Sequence, residues 1–197
     1  MKKGDRTRER IIRQAAPLFN QRGYEGSSMQ EIMVATKLEK GGIYRHFPSK
    51  QQLAAEAFDY AWDEARNARR HDLDRDENSV DKLKHFIANF VERRGSVPGG
   101  CPLLNTATDS DDGNIVLRTR ARKALQDWQS FLGSIIANGI RKGEIRTDVA
   151  KAKLANVIIA SLEGAIMIGR LEQSVEPLRH AQSHLDNYLE SKVRMKN

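Results

Sequence analysis

The sequence predicts an all-α fold of about nine helices, because apolar residues recur every three or four positions in one segment after another. Residues that begin or end helices stand at the borders of these segments. Ser28 with Glu31 is an example of a start, and Gly23 and Gly143 are examples of ends. Hydrophobic residues make up 39% of the 197 residues, which is enough for a substantial core. The chain is therefore expected to be an ordinary globular helical protein.

Four helices are predicted in the N-terminal third of the chain. The first covers Thr7–Arg22 and ends at Gly23. The second begins after Ser28, which forms a capping box with the glutamate three residues later. The third, Lys40–Phe47, is only about two turns long, and the fourth extends from Lys50 to about Arg70. The third helix follows the second after a tight turn, so the two form a helix-turn-helix.

The later segments predict further helices after a charged break at residues 71–78. Acidic residues alternate in this break as they do in a calcium loop, but Glu77 stands where that loop needs glycine, which favours a solvated linker. The expected elements are a helix capped by Ser79, a short helix within Gly99–Asp109, a long helix over Val116–Arg141, an apolar helix capped by Thr147 or Asp148, and a last helix opened by Pro177.

The short helix at Lys40–Phe47 has the composition of a helix that enters the major groove of DNA. Gly41 and Gly42 near its start let the backbone approach another surface closely, and donors surround it that can bind phosphates or base edges. The candidate DNA contacts are Ser28, Lys40, Gly41, Gly42, Tyr44, Arg45, His46 and Lys50. Lys50, Tyr44 and His46 are expected to bind mainly phosphates.

The distribution of charge agrees with that interpretation. Residues 1–50 carry 11 Lys and Arg against 5 Asp and Glu, whereas residues 51–197 carry 22 against 21. A basic segment joined to a nearly neutral one is typical of a DNA-facing module on a regulatory domain. The expected domains are therefore a DNA-binding domain at residues 1–50 and a regulatory and dimerisation domain at residues 51–197.

The run Gly41–Lys50, GGIYRHFPSK, resembles the helix-turn-helix of the TetR (tetracycline repressor) family, and the similarity extends over roughly Thr7–Leu53. The resemblance implies an all-helical, dimeric repressor with a variable ligand-binding domain after the DNA-binding one. The family usually has glycine where this chain has Lys37, which is therefore expected to hold a left-handed or turn conformation. It often has Ser or Thr where this chain has Glu39, which puts an acid beside the DNA.

Two segments near the C-terminus, Asp148–Arg170 and Pro177–Arg194, are candidates for the surface between two copies of the chain. The first is apolar nearly all round its middle, and such a helix is buried on more than one side. Together they are expected to form a four-helix bundle across a two-fold axis, and a charge at Ile158 or Leu185 is expected to expose or split it. The alternative is that both helices only complete the core of one protomer.

The inducer, a small molecule of unspecified structure, is expected to bind among the helices of residues 79–141. The candidates combine an apolar wall with polar groups: Phe86, Phe90, Trp128, Phe131, Asn105, Thr106, Asp109 and Cys101. For each aromatic residue, ordinary core packing is an alternative. Cys101, the only cysteine, lies at the start of a short helix, so it is either a reactive sensor thiol or a buried packing residue.

A second class of function uses His180 and His184, which lie four apart on one helical face and could share a metal in a small helical enzyme or metal-dependent sensor. No acidic residue or cysteine close in sequence completes such a site, so neither an enzyme nor a cofactor is expected. The single cysteine favours a reducing cytoplasm. No apolar run approaches the about 18 residues that cross a membrane. The expected partners are an operator in double-stranded DNA, the inducer and a second copy of the chain.

Overall fold

The computed structural model describes residues 3–93, 95–110 and 113–196, and within them all regular structure is helical apart from one isolated bridge between Ile145 and Arg194. The predicted all-α class is confirmed. The described α-helices are α1 Lys3–Arg22, α2 Met29–Thr36, α3 Lys40–Tyr44, α4 Lys50–Arg69, α5 Ser79–Glu92, α6 Pro102–Asp109, α7 Ile115–Lys142, α8 Lys151–Glu172 and α9 Glu176–Tyr188. A 3-10 turn, Leu73–Arg75, follows α4, and a π-helical turn, Leu189–Val193, follows α9.

The chain divides into two compact units. The first unit takes in the chain up to Arg66 together with residues 95–124, and the second unit takes in residues 67–93 and the chain from Leu125 onward. The first unit contains α1, α2, α3, α6, nearly all of α4 and the beginning of α7. Both α4 and α7 contribute residues to the two units.

The core of the first unit joins α1, α2 and α3. Its fully buried members come from all three helices, from the connection after α3 and from the start of α4: Ile11, Ala15, Ile32, Ile43, Phe47 and Leu53. Phe19 and Tyr24 stack at the end of α1, with ring centres 6.4 Å apart. The single apolar stripe of each short helix points into this core, which leaves the opposite sides of α2 and α3 to solvent.

Most helix ends follow the sequence signals. Gly23 and Gly143 have φ +74 and end α1 and α7, as predicted. Other boundaries were predicted wrongly. The cap of α5 is Asn78, whose side chain accepts from the Val80 and Asp81 amides, and not Ser79. Helix α3 ends at Tyr44, three residues earlier than expected.

The start of α8 was also predicted wrongly. It begins at Lys151 after Ala150, whereas Thr147 or Asp148 was expected to cap it. The Asp148 carboxylate instead accepts two hydrogen bonds from the Arg146 guanidinium, at 3.0 and 2.7 Å. A side chain engaged in this local pair is not available to cap a helix.

The core of the second unit lies among α5, the later part of α7, α8 and α9, and α8 packs along α9. Ile158 and Leu185 are both 0% exposed within one protomer. A charge at either position would therefore disrupt the protomer core, which corrects the expectation that it would simply split a surface between protomers. The exposed apolar residues of these helices are Val157, Met167, Ile168, Leu171, Val175 and Tyr188.

Helix α8 is the one described helix that is long and apolar enough, by length and composition, to cross a membrane. Its apolar residues do not form one uninterrupted run, since Glu163 and Arg170 lie within the helix. In the most apolar part of the helix, 44% of the residues are buried inside the protein, as they are in a helix that packs against other helices of a core.

Candidate nucleic-acid interface and regulatory site

Helix α2 begins with the predicted capping box. The Ser28 hydroxyl accepts from the Glu31 amide at 3.2 Å, and the Glu31 carboxylate accepts from the Ser28 amide at 2.8 Å. Glu31 also forms an ion pair with Arg22, the last residue of α1. The start of α2 is thus fixed from both sides, and Ser28 is held at the surface.

The turn between α2 and α3 depends on Lys37, which has φ 53 and ψ 39. The expected left-handed conformation is confirmed. Its amide donates to the carbonyl of Val34 and the Leu38 amide donates to the carbonyl of Met33, at 3.3 and 3.2 Å, which is the hydrogen-bond pair of a Schellman motif. The turn therefore has the geometry that a glycine would provide, although a lysine occupies it.

Helix α3 is anchored by one side chain and presents the others outward. Ile43 is buried in the core of the first unit, whereas Lys40, Gly41, Tyr44 and Arg45 are exposed. At Gly41, no described atom lies within 4 Å of the position that a Cβ would occupy. The surface of α3 is therefore open, polar and basic, which suits a helix that reads the major groove.

Two aromatic residues connect the basic groups of this surface. The Lys40 ammonium lies 5.9 Å from the centre of the Tyr44 ring, and the Lys50 ammonium lies 4.3 Å from the centre of the Tyr24 ring. Burial raises the pKa of the Tyr24 phenol, and the nearby Glu25 carboxylate and Tyr44 phenol raise that pKa further. Each of the two lysines thus has an aromatic ring beside it, Tyr44 for Lys40 and Tyr24 for Lys50.

The four predicted aromatic residues of the inducer site do come together in the second unit. The ring centres of Phe86 are 6.1 Å from Trp128 and 5.8 Å from Phe131, and those of Phe90 and Trp128 are 5.7 Å apart. Phe86, Phe90 and Trp128 are buried, and Phe131 is half-buried. We call these four residues the aromatic cluster.

Two arginines from the end of α4 lie on the aromatic cluster. The Arg69 guanidinium is 4.3 Å from the centre of the Phe90 ring and 4.6 Å from that of Trp128, and it is 4.0 Å from the Glu163 carboxylate. The Arg70 guanidinium lies 3.8 Å from the centre of the Phe131 ring. Cation–π contacts are strongest when desolvated, and Arg69 is only 6% exposed.

An open groove of about 600 Å³ reaches one edge of the aromatic cluster. Phe131, Ser134 and Ile135 of α7 form one side of it, and the acidic residues Asp76 and Glu77 lie on another. Phe131 is the residue that belongs to both the groove and the cluster, so a small molecule in the groove would meet the cluster there.

The polar candidates for the inducer site lie in the first unit, where they bind the end of α1. The side-chain amide of Asn105 donates to the backbone carbonyls of Asn20 and Gly99, each at 2.8 Å. The Asp109 carboxylate accepts from the Tyr24 amide at 2.8 Å. Thr106 lines a cavity of about 20 Å³, which has room for about one water molecule.

Comparison with known proteins decides the family. Residues 11–57 match the model for bacterial regulatory proteins of the tetR family, and residues 79–185 match the tetracyclin repressor-like C-terminal domain. The chain belongs to the TetR family. This TetR-family protein is accordingly a ligand-responsive transcriptional regulator and not an enzyme.

Several relatives cover nearly the whole regulator. A TetR transcriptional regulator from Chloroflexus aurantiacus is 46% identical, with 100% of both chains covered and a TM-score of 0.94. One from Cytophaga hutchinsonii is 34% identical, with 100% of this chain and 99% of that chain covered and a TM-score of 0.93. The HTH-type transcriptional repressor DhaR of Mycobacterium sp. is 28% identical over 87% of this chain and 86% of its own.

The alternative based on two histidines has no support in this TetR-family regulator. His180 and His184 are both exposed on α9. Within the described ranges, no group of three or more His, Cys, Asp or Glu side chains is arranged to hold a metal ion.

Sequence reasoning missed Tyr24 and Arg69. The Tyr24 ring contacts the Lys50 ammonium, and the Arg69 guanidinium contacts the aromatic cluster, but neither residue was among the predicted site residues. An aromatic residue directly after a helix-ending glycine was the available signal for Tyr24. For Arg69 the signal was an arginine pair at the end of a long helix, which does not identify its aromatic partners.

Proposed function

We propose that this TetR-family regulator is a cytoplasmic repressor that binds a pseudo-palindromic operator as a homodimer and is released by a small-molecule inducer. The observation that carries the proposal is the open, basic surface of α3, held by a buried Ile43 and followed by Lys50. The similarity to DhaR, a transcriptional repressor, supports repression rather than activation.

In the operator complex, α3 enters the major groove. Lys40 and Arg45 face base edges or the adjacent backbone, and Tyr44, His46 and Lys50 bind phosphates. Gly41 and Gly42 allow the close approach, and Ser28 meets a phosphate at the start of α2. Phosphate contacts set the register, whereas the side chains on the groove side of α3 set the sequence preference.

The homodimer forms through α8 and α9. Val157, Gly164, Met167 and Leu171 recur at the spacing of one helical face, and Ala160 lies between the first two. No described atom lies within 4 Å of the position that a Cβ of Gly164 would occupy. A stripe that is apolar at its ends and small in its middle lets a second helix approach closely, and a two-fold axis makes such a surface self-complementary.

The inducer binds at the aromatic cluster and enters through the groove beside Phe131. Its binding competes with the packing of Arg69 and Arg70 on the rings, and these arginines lie at the end of α4. A ligand that favours one arrangement of α4 changes the distance between the recognition helices of the dimer, which must match the ~34 Å repeat of DNA. A coupling of about 1–3 kcal/mol is enough for regulation.

Selection of genomic or random DNA fragments by the purified protein tests this proposal. The expected result is enrichment of an inverted repeat whose half-sites are separated by about one helical turn. A variant with Tyr44→Ala and Arg45→Ala should enrich nothing, whereas Lys192→Ala, which removes an exposed lysine after α9, should select the same repeat. Failure of the wild type to enrich any repeat would contradict operator binding.

A further inference from the structure

The last residue of α6 binds the turn that follows α1. The Asp109 carboxylate accepts a hydrogen bond of 2.8 Å from the Tyr24 amide. Gly23, with φ +74, lies against the same carboxylate, and a Cβ at that position would fall well inside contact distance of it. Glycine at this position therefore serves two needs: it adopts the left-handed conformation, and it leaves room for the Asp109 carboxylate to approach the backbone.

Tyr24 in turn supports Lys50. The Lys50 ammonium lies 4.3 Å from the centre of the Tyr24 ring, within the range at which the ring attracts a cation. A lysine has four rotatable bonds, and fixing it costs conformational entropy when it binds a phosphate. A ring that already holds the ammonium reduces that cost, because less freedom remains to be lost on binding.

A second contact reaches the residue next to Lys50. The side-chain amide of Gln51 donates to the side-chain oxygen of Asn114 at 3.1 Å. That oxygen also accepts from the Leu117 backbone amide at 3.1 Å, so Asn114, which precedes α7, binds both the first turn of α7 and the start of α4. The last residue of α6 thus binds the residue whose ring contacts Lys50, and Asn114 binds the residue next to Lys50.

The geometry points to Asp109 as a positioning residue for DNA binding: through Tyr24, it holds the Lys50 ammonium where a phosphate can bind it. The inference rests on the proposed contact between Lys50 and DNA. It assigns Asp109 a role different from the inducer contact expected from the sequence. It also connects α6 to the DNA-binding surface through contacts that all lie within the first unit.

The test measures operator affinity by fluorescence anisotropy at several salt concentrations, using the full-length protein and the selected duplex. Asp109→Ala should weaken binding about 2- to 5-fold, the effect of losing one exposed cation–π contact. The slope of log affinity against log salt should also decrease, toward that of Lys50→Ala. Asp109→Asn retains an oxygen that accepts from the Tyr24 amide, so it should bind nearly as the wild type does.

The double variant separates positioning from general stability. In the Lys50→Ala background, Asp109→Ala should change affinity less than about two-fold, because the two residues act through one contact. Tyr24→Leu keeps the backbone bond to Asp109 but removes the ring, and it should behave as Asp109→Ala does, whereas Tyr24→Phe should not. Thermal unfolding of each variant checks that it is folded.

Two results would overturn the inference in distinguishable ways. Full additivity of Asp109→Ala and Lys50→Ala, with an unchanged salt slope for Asp109→Ala, would show that Asp109 does not act through Lys50 and would leave the DNA-contact proposal intact. Unchanged affinity and slope for Lys50→Ala alone would remove Lys50 from the DNA contacts, and both proposals for this residue would fail.

Discussion

The amide of Lys37 donates a hydrogen bond to the carbonyl of Val34 while its own backbone has φ 53. A lysine in this conformation carries a strain that glycine does not. Lys37→Gly should therefore raise the free energy of unfolding by about 0.5–1 kcal/mol, less the entropy that glycine adds to the unfolded chain. Urea unfolding at one protein concentration measures the change.

Lys37→Ala is the matched control for this prediction. It removes the same long side chain but keeps the Cβ that causes the strain, so its stability should stay close to that of the wild type. If Lys37→Gly raises the free energy of unfolding no more than Lys37→Ala does, the left-handed backbone at Lys37 is not a source of strain.

The apolar stripe on α8 predicts the oligomeric state. Met167 is 52% exposed in the protomer, so Met167→Glu should leave the protomer folded. A buried, unpaired charge in an interface is strongly unfavourable, and the variant should sediment as a monomer at micromolar concentration. The wild type should sediment as a dimer.

Ile115→Glu controls for the general effect of replacing an exposed apolar residue with a charge. Ile115 is 68% exposed and begins α7 in the first unit. This variant should remain dimeric. A monomeric wild type, or a Met167→Glu protein that sediments as the wild type does, would argue against α8 as the dimer surface.

Glu190 is expected to make the stability of the second unit depend on pH in the acid range. Hydrogen bonds from the Arg194 guanidinium and the Lys84 ammonium lower the pKa of this carboxyl to about 2 from its ordinary 4.5. A carboxyl whose pKa is lower in the folded state than in the unfolded state stabilises the fold at any pH above its unfolded-state pKa. This stabilisation is lost as the pH falls toward the folded-state pKa. The free energy of unfolding should therefore decrease between pH 4.5 and about 2.

Glu190→Gln should remove this contribution, so the free energy of unfolding of the variant should change less with pH in this range. The Glu190 side chain is 43% exposed, so solvent screening keeps the effect below about 1 kcal/mol. Lys84→Met removes one of the two cations and should remove part of the same dependence. Parallel pH profiles for the wild type and Glu190→Gln would assign the acid sensitivity to other groups.

Cys101 is 2% exposed and precedes the first residue of α6. Burial favours the packing interpretation over the reactive thiol, because a thiol that solvent does not reach reacts slowly. Iodoacetamide should modify the native protein far more slowly than the urea-unfolded protein, and Cys101→Ser should keep operator binding. Fast modification that also abolishes operator binding would instead identify a sensor thiol.

The capping box of α2 and the turn at Lys37 were predictable to single residues because their signals are local, whereas the end of α3 was not. Ser28 and Glu31 are three residues apart, and the turn is fixed by hydrogen bonds within a few residues of Lys37. The start of α5 was not predictable in the same way. Asn78 and Ser79 are both good capping residues, and the Ser79 amide is bound by the Glu144 carboxylate at 2.7 Å, a partner 65 positions away.

The regulatory site was predictable only in part for the same reason. Helical spacing brought Phe86 and Phe90 to one face of α5, and the aromatic cluster followed from it. The polar candidates had equally suggestive residue types, but Asn105 binds Asn20, a residue 85 positions earlier. Contacts of that range depend on the packing of whole helices, which no local pattern encodes.

The most direct test of the account is sedimentation of the regulator with a labelled duplex that carries the selected inverted repeat. The account predicts two protomers on each duplex, with affinity that falls about 10³- to 10⁵-fold between about 50 mM and about 200 mM salt if some 6–10 phosphates are contacted. A duplex with one half-site should bind much more weakly. Binding of a single protomer, or equal affinity for whole and half sites, would contradict the claim that the regulator binds a two-fold symmetric operator as a dimer.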